Sequence, residues 1–402
     1  MKSMIADSKG KSPFYPGQPV PVELFVGRAN QIERIMTRGV AQVAAGKPVS
    51  MFVEGEYGIG KSSIAGFVQQ YAQEKYGLHP LYVPLGGIEK LDDLGAKVLE
   101  ATVISGGLDA KQTEKIRNWL ARYIGEQTFF GVTLHAENLK KDAPSVARGL
   151  LPFLTEIYAR LKDSGVKGIF LVFDEINGIT SNPKFAHLIK GLVDTNALSR
   201  NPLPLLLVLC GVEERRREMI NHHQPVDRIF DVIDVEPLNQ EEMKEFFIRA
   251  FDSVSMKVKR EALEQLAIYS AGFPKIMHLI GDATYWLDRD GVIDAEDAWM
   301  GVILAADEVG KKYVDQQVYK ALRSADYHSI LRKIAKLGPD KMSFNKSEII
   351  SGLSDTEKRK FNNFLQKMKN LKVLRSGDVQ GEYVFNVRMV RLYIWLQSLT
   401  QK

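Results

Sequence analysis

The stretch that decides the fold is Gly55-Glu56-Tyr57-Gly58-Ile59-Gly60-Lys61-Ser62, which directly follows the apolar run 49–53. It matches the pattern G-x-x-x-x-G-K-S, and this pattern between a strand and an amphipathic helix is typical of a phosphate-binding loop. The glycines permit positive φ angles, so main-chain N–H groups can close around phosphate oxygens. The helix that starts near Lys61 points its positive end at the same anion. The alternative, a plain glycine-rich turn, is disfavoured by the complete octet in this setting.

Two side chains of this loop have predicted chemical roles. Lys61 supplies a mobile cation for the β- and γ-phosphates, and Ser62 supplies a hydroxyl for Mg²⁺. The sequence contains no guanine-reading pattern of the N-K-x-D type, so ATP with Mg²⁺ is the expected ligand. The predicted nucleotide contacts in and just after the loop are Gly55, Glu56, Tyr57, Gly58, Ile59, Gly60, Lys61, Ser62 and Ser63.

The composition indicates a soluble globular protein, because 45% of the 402 residues are hydrophobic and 26% are charged. The single cysteine, Cys210, excludes an intramolecular disulfide and a cysteine-based zinc site, which fits a reducing compartment. The first twelve residues lack the apolar core of a signal peptide, and the apolar run 205–210 is too short to span a bilayer. We therefore expect a cytoplasmic protein without membrane contact.

The formal net charge of +5 is unevenly distributed along the chain. Residues 311–402 contain 19 Lys and Arg against 8 Asp and Glu, a net charge of +11, whereas the rest of the chain sums to −6. A basic tail on an acidic-to-neutral body suggests contact with a polyanion. A generic basic surface is the alternative, and composition leaves both open.

The apolar patterns divide the chain into regions. Strands alternate with helices as far as residue 236, which predicts a parallel sheet with helices on both faces, and a helical stretch follows from residue 239. The last helix of that stretch is predicted at about 295–323. The predicted regions are an extended or disordered segment at 1–20, an α/β nucleotide-binding domain at 21–236, a helical lid at 237–310 and a helix-rich tail with a β-hairpin at 311–402. Within the α/β domain, strands are predicted at 49–53, 80–85, 168–173, 205–210 and 231–235, a helix at 109–125, and a strand or hairpin at 128–135.

An acidic pair, Asp174-Glu175, ends the buried strand predicted at 168–173. In an open parallel sheet the strand C-termini line the ligand crevice, so this pair should meet the phosphate loop there. Asp174 would hold Mg²⁺ through water, and Glu175 would orient and deprotonate the attacking water. An acidic strand end that merely enters a loop is the alternative.

These motifs together resemble those of AAA+ ATPases. The segments 25–28, 55–62, 174–175 and 272–275 occur in the order typical of that class. The chain looks most like the branch of origin-recognition replication initiators and transposition-regulator ATPases, and its start, 12–17, is also similar to bacterial STAND-like ATPases. The resemblance covers about residues 12–290, with a weaker fit through the tail, and implies a P-loop NTPase sheet with a helical lid.

The resemblance implies roles for residues outside the loop. Gly27 and Arg28 match the segment that lies beside the adenine. Lys275 matches the lid position that reaches the γ-phosphate, where arginine is usual; lysine supplies the charge but not the bidentate fork. A solvated lysine at a helix start is the alternative for Lys275.

Two further positions follow from the same resemblance. Arg228 lies where this branch often has an arginine finger that enters a neighbouring subunit's site, which implies a homo-oligomer; Arg200 and the run 215–217 remain alternatives. Cys210 stands at the sensor-1 position, where Asn, Ser or Thr is usual. Because a thiol is a poor hydrogen-bond donor, slow hydrolysis is expected.

The predicted tail helix 355–371 has two distinct faces. Its apolar residues, Phe361, Phe364, Leu365, Met368 and Leu371, recur at helical spacing. As the third helix of a helix-helix-helix-hairpin unit, it resembles the recognition helix of a winged-helix domain. Such domains also dock proteins or autoinhibit, and a basic helix face is often merely solvated. The side chains expected to contact double-stranded DNA are Lys358, Arg359, Asn362, Asn363, Gln366, Lys367, Lys369, Lys372 and Arg375.

The sequence thus supports a main hypothesis and two rivals. The main hypothesis is an ATP hydrolase, with a P-loop AAA+ sheet, a helical lid and a C-terminal winged helix, that assembles with nucleotide and acts on DNA. The first rival is a STAND-like signalling or defence switch whose C-terminal domain binds a protein partner. The second, a small-molecule kinase with the same loop, leaves the lid motif and the basic tail unexplained.

Overall fold

The structure, a computed structural model, describes residues 9–17, 24–105, 128–129, 132–133 and 149–400. The chain divides into two compact units. We call Arg28–Glu236 the sheet unit, and Met1–Gly27 together with Pro237–Lys402 the helical unit. The finer predicted division into four regions stays a prediction. Three predicted features lie wholly or partly outside the described residues: the helix at 109–125, half of the strand or hairpin at 128–135, and much of the segment 1–20.

A five-stranded parallel sheet organises the sheet unit, as the sequence predicts. Its strands follow the order β2-β5-β6-β1-β7. Every residue of β5 and β6 is buried, which explains why both appear in the sequence as continuous apolar runs. The strands of this unit are β1 (Val49–Glu54), β2 (Leu78–Pro84), β3 (Thr128–Phe129), β4 (Val132–Thr133), β5 (Gly168–Asp174), β6 (Leu205–Gly211) and β7 (Asp231–Asp234), of which β3 and β4 form a separate antiparallel pair.

The order of the strands sets the relation between the phosphate loop and the acidic pair. β6 lies between β1 and β5. Cys210 of β6 pairs with Val53 of β1. On the other side, the residue before it, Leu209, pairs with Phe173 of β5. Because all three strands run in parallel, the ends of β1, β5 and β6 meet at one edge of the sheet.

Helices flank the sheet and bury one large hydrophobic core with it. The α-helical winding between residues 29 and 44 is interrupted, because residues Met36–Val40 form a π-helical turn. The helices of the sheet unit are α1 (Ala29–Ile35), α2 (Ala41–Ala44), α3 (Lys61–Tyr76), α4 (Leu91–Ile104), α5 (Leu150–Leu161), α6 (Pro183–Ala197) and α7 (Glu213–His222), with short 3₁₀ turns at Lys162–Ser164, Ile179–Ser181 and Gln224–Ile229.

The first part of the helical unit is a layer of four helices joined by a short parallel strand pair. Its helix starts carry sequence signals: Asn239 and Glu242 form a capping box before α8, and Pro274 is the first residue of α10. The N-terminal segment belongs here, because Phe14 is buried in the core of this layer. The elements are α8 (Gln240–Asp252), β8 (Lys257–Val258), α9 (Arg260–Ser270), α10 (Pro274–Leu287), β9 (Val292–Ile293) and α11 (Ala295–Val309).

The helix predicted at about 295–323 is helical as far as Tyr319, but its winding is not uniform. α11 ends at Val309, and the winding changes to a π-helical segment over Gly310–Tyr319. Gly310 lies against the ring of Tyr393 so closely that any side chain there would collide with it. The apolar period alone does not reveal this change of winding.

The rest of the helical unit combines helices with a three-stranded antiparallel sheet in the order β10-β12-β11. The sequence pattern missed β10, because its three residues contain a single apolar side chain, Phe344. The last helix joins the two parts: Met389 and Leu392 enter the core of the first layer, and Val390 and Tyr393 enter the second core. The elements are α12 (Ala325–Ala335), β10 (Ser343–Asn345), α13 (Lys346–Ile350), α14 (Asp355–Asn370), β11 (Leu374–Ser376), β12 (Glu382–Phe385) and α15 (Arg388–Thr400).

No helix in the described part of the chain has the length and hydropathy needed to cross a membrane.

Candidate functional site

The phosphate loop adopts a conformation that its glycines make accessible. Gly55, Gly58 and Gly60 have φ angles of 156°, 76° and 102°. A side chain on Gly55 would also stand 2.5 Å from the carbonyl oxygen of Val235. The loop therefore needs glycine here both for its backbone angles and for its close packing against the chain after β7.

The helix that follows the loop presents an uncapped N-terminus. α3 begins at Lys61 after Gly60, and no side chain of the described residues caps it. The first N–H groups of a helix have no intrahelical acceptor, and the helix dipole makes this end positive. This end of α3, which includes Ser62 and the half-buried Ser63, therefore suits an anion such as a phosphate.

Lys61 is held inside the loop. Its Nζ donates hydrogen bonds to the carbonyl oxygens of Gly55 and Glu56, both at 2.8 Å. Burial lowers the pKa of Lys61, while nearby acidic groups, including Asp174 and Glu175, act in the opposite direction. The ammonium group also lies 5.8 Å from the ring centre of Tyr57, a loop side chain that is 62% exposed. The ammonium group of Lys61 thus lies near enough to Asp174 and Glu175 for their charges to act on its pKa.

The acidic pair at the end of β5 is fixed in two different ways. Asp174 is only 5% exposed, and its Oδ1 accepts a hydrogen bond of 2.9 Å from the backbone N–H of Glu175. Glu175 is exposed and has a φ of 56°, a left-handed conformation that is costly for a non-glycine residue. Its carboxylate lies against Gly86, where an added side chain would collide with it. The structure therefore places Asp174 inside the site and Glu175 at its open side.

Cys210 lies between the strands that carry the loop and the acidic pair. It is fully buried, and its carbonyl oxygen accepts a hydrogen bond of 3.3 Å from the N–H of Ile176. Burial raises the pKa of the Cys210 thiol, and Asp174 shifts it in the same direction. The thiol is thus kept protonated, and it offers only a weak hydrogen-bond donor at this position.

Sequence reasoning missed Tyr82, which reaches the same site from β2. Its hydroxyl donates a hydrogen bond of 2.5 Å to Oδ2 of Asp174. Burial raises the pKa of Tyr82, and the charge of Asp174 raises it further. Pro84 pairs with Asp174 between β2 and β5, so Tyr82, two residues earlier, lies on the same face of the sheet. The only signal in the sequence is a tyrosine two residues before the end of a strand.

Arg28 is placed against the phosphate loop. The side chain is buried, and its two terminal nitrogens donate to the carbonyl oxygens of Glu236 at 2.7 Å and Ile59 at 3.0 Å. It therefore ties the loop to the chain after β7. Gly27, with a φ of 66°, belongs to the helical unit. The predicted position of both residues beside an adenine stays a prediction.

Comparisons with known proteins place this architecture. Residues 21–78 match the family model of the BREX system ATP-binding protein BrxC/D. The Walker-type ATPase PABY2304 of Pyrococcus abyssi is 16% identical, with a TM-score of 0.55 over 92% of this chain and 96% of that chain. The Aeropyrum pernix ORC2 protein, in ADPNP–ADP complexes, is 13% identical, with a TM-score of 0.56 over 92% and 93%. Cdc6p of Pyrobaculum aerophilum is 10% identical, with a TM-score of 0.51 over 96% and 97%. No curated protein matches the chain.

The chain has the AAA+ fold. The described sheet, with the phosphate loop on β1 and the acidic pair two strands away on β5, is the P-loop sheet of that fold. At these identities the likeness establishes architecture, and the site residues have to be argued from this chain itself.

In this AAA+ sheet unit the candidate arginine fingers separate into two groups. Arg215 and Arg217 pair with Glu218 and Glu213 on their own helix, at 2.9 Å and 2.6 Å. The charge of Arg216 is also paired within the unit, with Glu54 at 2.6 Å and with Asp227 at 2.9 Å. The two that are exposed and have no hydrogen bond or ion pair with any described residue are Arg200 and Arg228.

Lys275 lies in the helical unit, as the second residue of α10, and is exposed. The turn before it is closely packed: Gly272 has a φ of 80°, and its carbonyl oxygen accepts a hydrogen bond of 2.9 Å from the N–H of Leu238. The lysine thus starts a helix from a well-fixed turn. Its predicted reach to a γ-phosphate stays a prediction.

The helical unit also contains the basic helix face. We define this face as the exposed side of α14 together with the adjoining residues 372 and 375. The opposite side of α14 is buried, including Phe361, Phe364, Leu365 and Met368. Several polar side chains of the face already have partners within the unit: Lys346 donates to Asn362 at 2.6 Å, and Lys369 donates to Ser376 at 3.1 Å. Lys358 pairs with Asp355 at 3.8 Å, Arg359 donates to the Asp355 carbonyl at 3.3 Å, and Gln366 donates to Asn370 at 3.1 Å. Those with no hydrogen bond or ion pair to a described residue are Asn363, Lys367 and Arg375.

Proposed function

We propose that this protein is a Mg²⁺-dependent ATPase that assembles with nucleotide and acts on double-stranded DNA. The observation that carries the ATPase proposal is the convergence of Lys61, Asp174 and Glu175 at the edge of the sheet where α3 presents its uncapped N-terminus. A cation, a helix dipole and two carboxylates at one edge suit a phosphate chain and a positioned water.

The residues of the site fit a metal that is brought by the nucleotide. No group of three or more His, Cys, Asp or Glu side chains in the described part of the chain could hold a metal ion by itself. Mg²⁺ characteristically binds through one or two carboxylates together with substrate phosphates, and Ser62 and Asp174 supply oxygen donors of that kind. When bound, Mg²⁺ would neutralise charge on the β- and γ-phosphate oxygens.

Each remaining residue has a definite task in this proposal. The N–H groups of the loop and of the first turn of α3 bind the phosphates, and Lys61 exchanges its bonds to Gly55 and Glu56 for phosphate oxygens. Glu175, at the open side of the site, accepts a proton from the attacking water and orients it. Because Cys210 offers only a weak donor, the water is held less firmly, and slow turnover follows.

Adenine nucleotide is supported by two of the comparisons. The family model that matches residues 21–78 describes an ATP-binding protein, and the ORC2 structure with the same fold contains ADPNP and ADP. The sequence also lacks a guanine-reading motif.

Assembly of several copies is supported by Arg228. An arginine finger must be exposed and must not be neutralised by its own subunit, and three of the five candidates fail this requirement. Arg228 meets it, as does Arg200. Arg200 follows α6 and precedes the first residue of β6, so it lies at the edge of the sheet remote from the site of its own subunit. We favour Arg228 on the position implied by the resemblance.

DNA as the polyanion is supported by the net charge of +11 over residues 311–402 and by the basic helix face. The order of elements from α12 to β12, with three helices and a three-stranded antiparallel sheet, is the order that a winged-helix domain requires. In that interpretation α14 is the recognition helix, and the turn between β11 and β12 is the wing.

One observation favours the alternative, a switch whose C-terminal domain binds a protein. The turn between β11 and β12 carries Asp378, is followed directly by Glu382 and exposes 66% of Val379, so it is acidic and apolar where a phosphate contact would need basic residues. A protein partner with a basic rim around an apolar centre would suit this turn. Contacts to DNA are therefore proposed for the basic helix face and not for this turn.

The proposal is tested by size-exclusion chromatography with light scattering on Glu175→Gln, with ATP, with ADP and with or without a 30-base-pair duplex. Without its proton acceptor the variant should bind ATP, lose turnover and accumulate a larger species that ADP does not produce. The duplex should co-elute with that species. The control is Glu74→Gln, which changes an exposed glutamate further along α3 and should turn over ATP normally.

Normal turnover by Glu175→Gln would show that the proton acceptor is another group. An ATP-dependent assembly that ignores DNA would favour the protein-binding alternative.

A further inference from the structure

Tyr82 is a polar side chain of the site for which the reaction proposed above has no role. It stands on β2, the edge strand beyond β5, and its ring lies on the face of the sheet that Asp174 also faces. The hydroxyl donates a hydrogen bond of 2.5 Å to Oδ2 of Asp174. Tyr82 thus holds a carboxylate whose oxygens would face the metal.

The direction of this bond follows from counting protons. A carboxylate has no proton, so the single proton of the Tyr82 hydroxyl must be donated to Asp174.

This direction leaves the right atoms for a cation. Asp174 receives one protein donor on each oxygen, from Tyr82 on Oδ2 and from the N–H of Glu175 on Oδ1, which fixes the plane of the carboxylate. Each carboxylate oxygen keeps a free lone pair for a metal-bound water.

We propose that Tyr82 is a positioning residue for Mg²⁺: it orients the Asp174 carboxylate so that its free lone pairs face the metal of a bound Mg²⁺–nucleotide. This inference rests on the proposed function, because it concerns the metal of that site. A purely structural tyrosine would act on the fold, and it would affect ATP binding equally with and without Mg²⁺. A positioning residue acts only on the part of the binding that Mg²⁺ adds.

The test measures ATP affinity by fluorescent-nucleotide titration, once in EDTA and once in excess Mg²⁺. In Tyr82→Phe, which removes only the hydroxyl, the tightening caused by Mg²⁺ should shrink by about tenfold, the factor that corresponds to one hydrogen bond to a charged group of roughly 1.4 kcal/mol. The affinity in EDTA should stay unchanged. Tyr71→Phe is the matched control, since that tyrosine is an exposed residue further along α3 in contact with Phe67, and it should retain the full effect of Mg²⁺.

A double-mutant cycle with Asp174→Asn tests whether Tyr82 acts through the carboxylate. If it does, Tyr82→Phe should cost less in the Asp174→Asn background than in the wild type. Equal costs in both backgrounds would overturn the connection through Asp174.

The remaining outcomes are decisive in different ways. If the wild type gains nothing from Mg²⁺, the proposed function fails and this inference fails with it. If the wild type gains and Tyr82→Phe gains as much, only this inference is overturned. If Tyr82→Phe binds ATP poorly in EDTA as well, its role is structural and the positioning proposal is wrong.

Discussion

The nucleotide site of the sheet unit and the basic helix face of the helical unit are built in opposite ways. At the nucleotide site, buried strand ends fix each group: Asp174 receives two hydrogen bonds, and Lys61 donates to two carbonyl oxygens. On the basic helix face most side chains are exposed, while Lys367 and Lys369 are half-buried, and Lys367 and Arg375 have no hydrogen bond or ion pair with a described residue. A fixed site should therefore respond to a single substitution by losing its function, whereas an exposed face should respond gradually, in proportion to the charge removed.

The largest expected effect is that of Lys61→Ala on nucleotide binding. At a hundredfold excess of ATP over its dissociation constant, a ligand that binds only the folded state stabilises it by about 2.7 kcal/mol. Removing the cation should abolish this gain, because Arg28, the cation that also contacts the loop, is buried and already donates to the carbonyl oxygens of Glu236 and Ile59. The measurement is the thermal unfolding midpoint with and without Mg²⁺–ATP.

Lys75→Ala is the control for that measurement. Lys75 lies in the last turn of the same helix, α3, and is exposed. It should keep the full stabilisation by ATP. If Lys61→Ala is still stabilised by ATP, the loop is not the ATP-binding site that we propose. The contrast between a fixed nucleotide site and a basic helix face that responds gradually would then be lost as well.

The next effect concerns DNA binding by the double variant Lys367→Glu/Arg375→Glu. If both side chains contact phosphates, the slope of log affinity against log salt should fall by about 0.9 for each lost contact, and the affinity at fixed salt should fall by on the order of tenfold. Each single variant should show about half of the change in slope. The measurement is fluorescence anisotropy with a labelled duplex over a range of salt concentrations.

The matched control places the same change in charge on the other unit. Lys47→Glu/Lys75→Glu alters two exposed lysines of the sheet unit and should leave the salt slope unchanged. An equal loss of affinity in both double variants would mean that only the overall charge matters. An all-or-none loss from Lys367→Glu alone would show that the face acts as a fixed site after all.

The sequence predicted the features that a single segment determines. The glycines of the loop, the apolar runs of β5 and β6 and the two faces of α14 each follow from local spacing, and the structure agrees with all of them. The features that were missed depend on how separate segments meet. The contact of Tyr82 with Asp174 depends on the register between β2 and β5, which alternation alone does not fix. The same holds for Arg216, whose two carboxylate partners are far apart in the sequence, at positions 54 and 227.

The smallest expected effect tests whether α14, the helix that carries the basic helix face, contains one fixed group. Glu357, at the start of α14, is only 4% exposed, pairs with Lys333 at 2.5 Å and completes the capping box of Ser354. Burial acts to raise the pKa of Glu357, but hydrogen bonds from Lys333, Ser329 and Ser354 prevail and lower it to about 2. Like Asp174, it is a buried carboxylate held by several donors.

The pH dependence of Glu357→Gln follows from the sign of that shift. Because the pKa in the folded state is lower than the ordinary 4.5, the ionised group stabilises the fold above pH 4.5, and this contribution is lost as the pH falls from 4.5 towards 2. Lys333 is partly exposed, so the loss in Glu357→Gln at neutral pH should be only about 1 kcal/mol. Urea unfolding of both proteins between pH 7 and pH 3 should show a constant difference above about pH 5, since there the group is ionised in both the folded and the unfolded state. The difference should narrow on further acidification, and a difference that stays constant down to pH 3 would mean that Glu357 is no more fixed than the exposed charges around it.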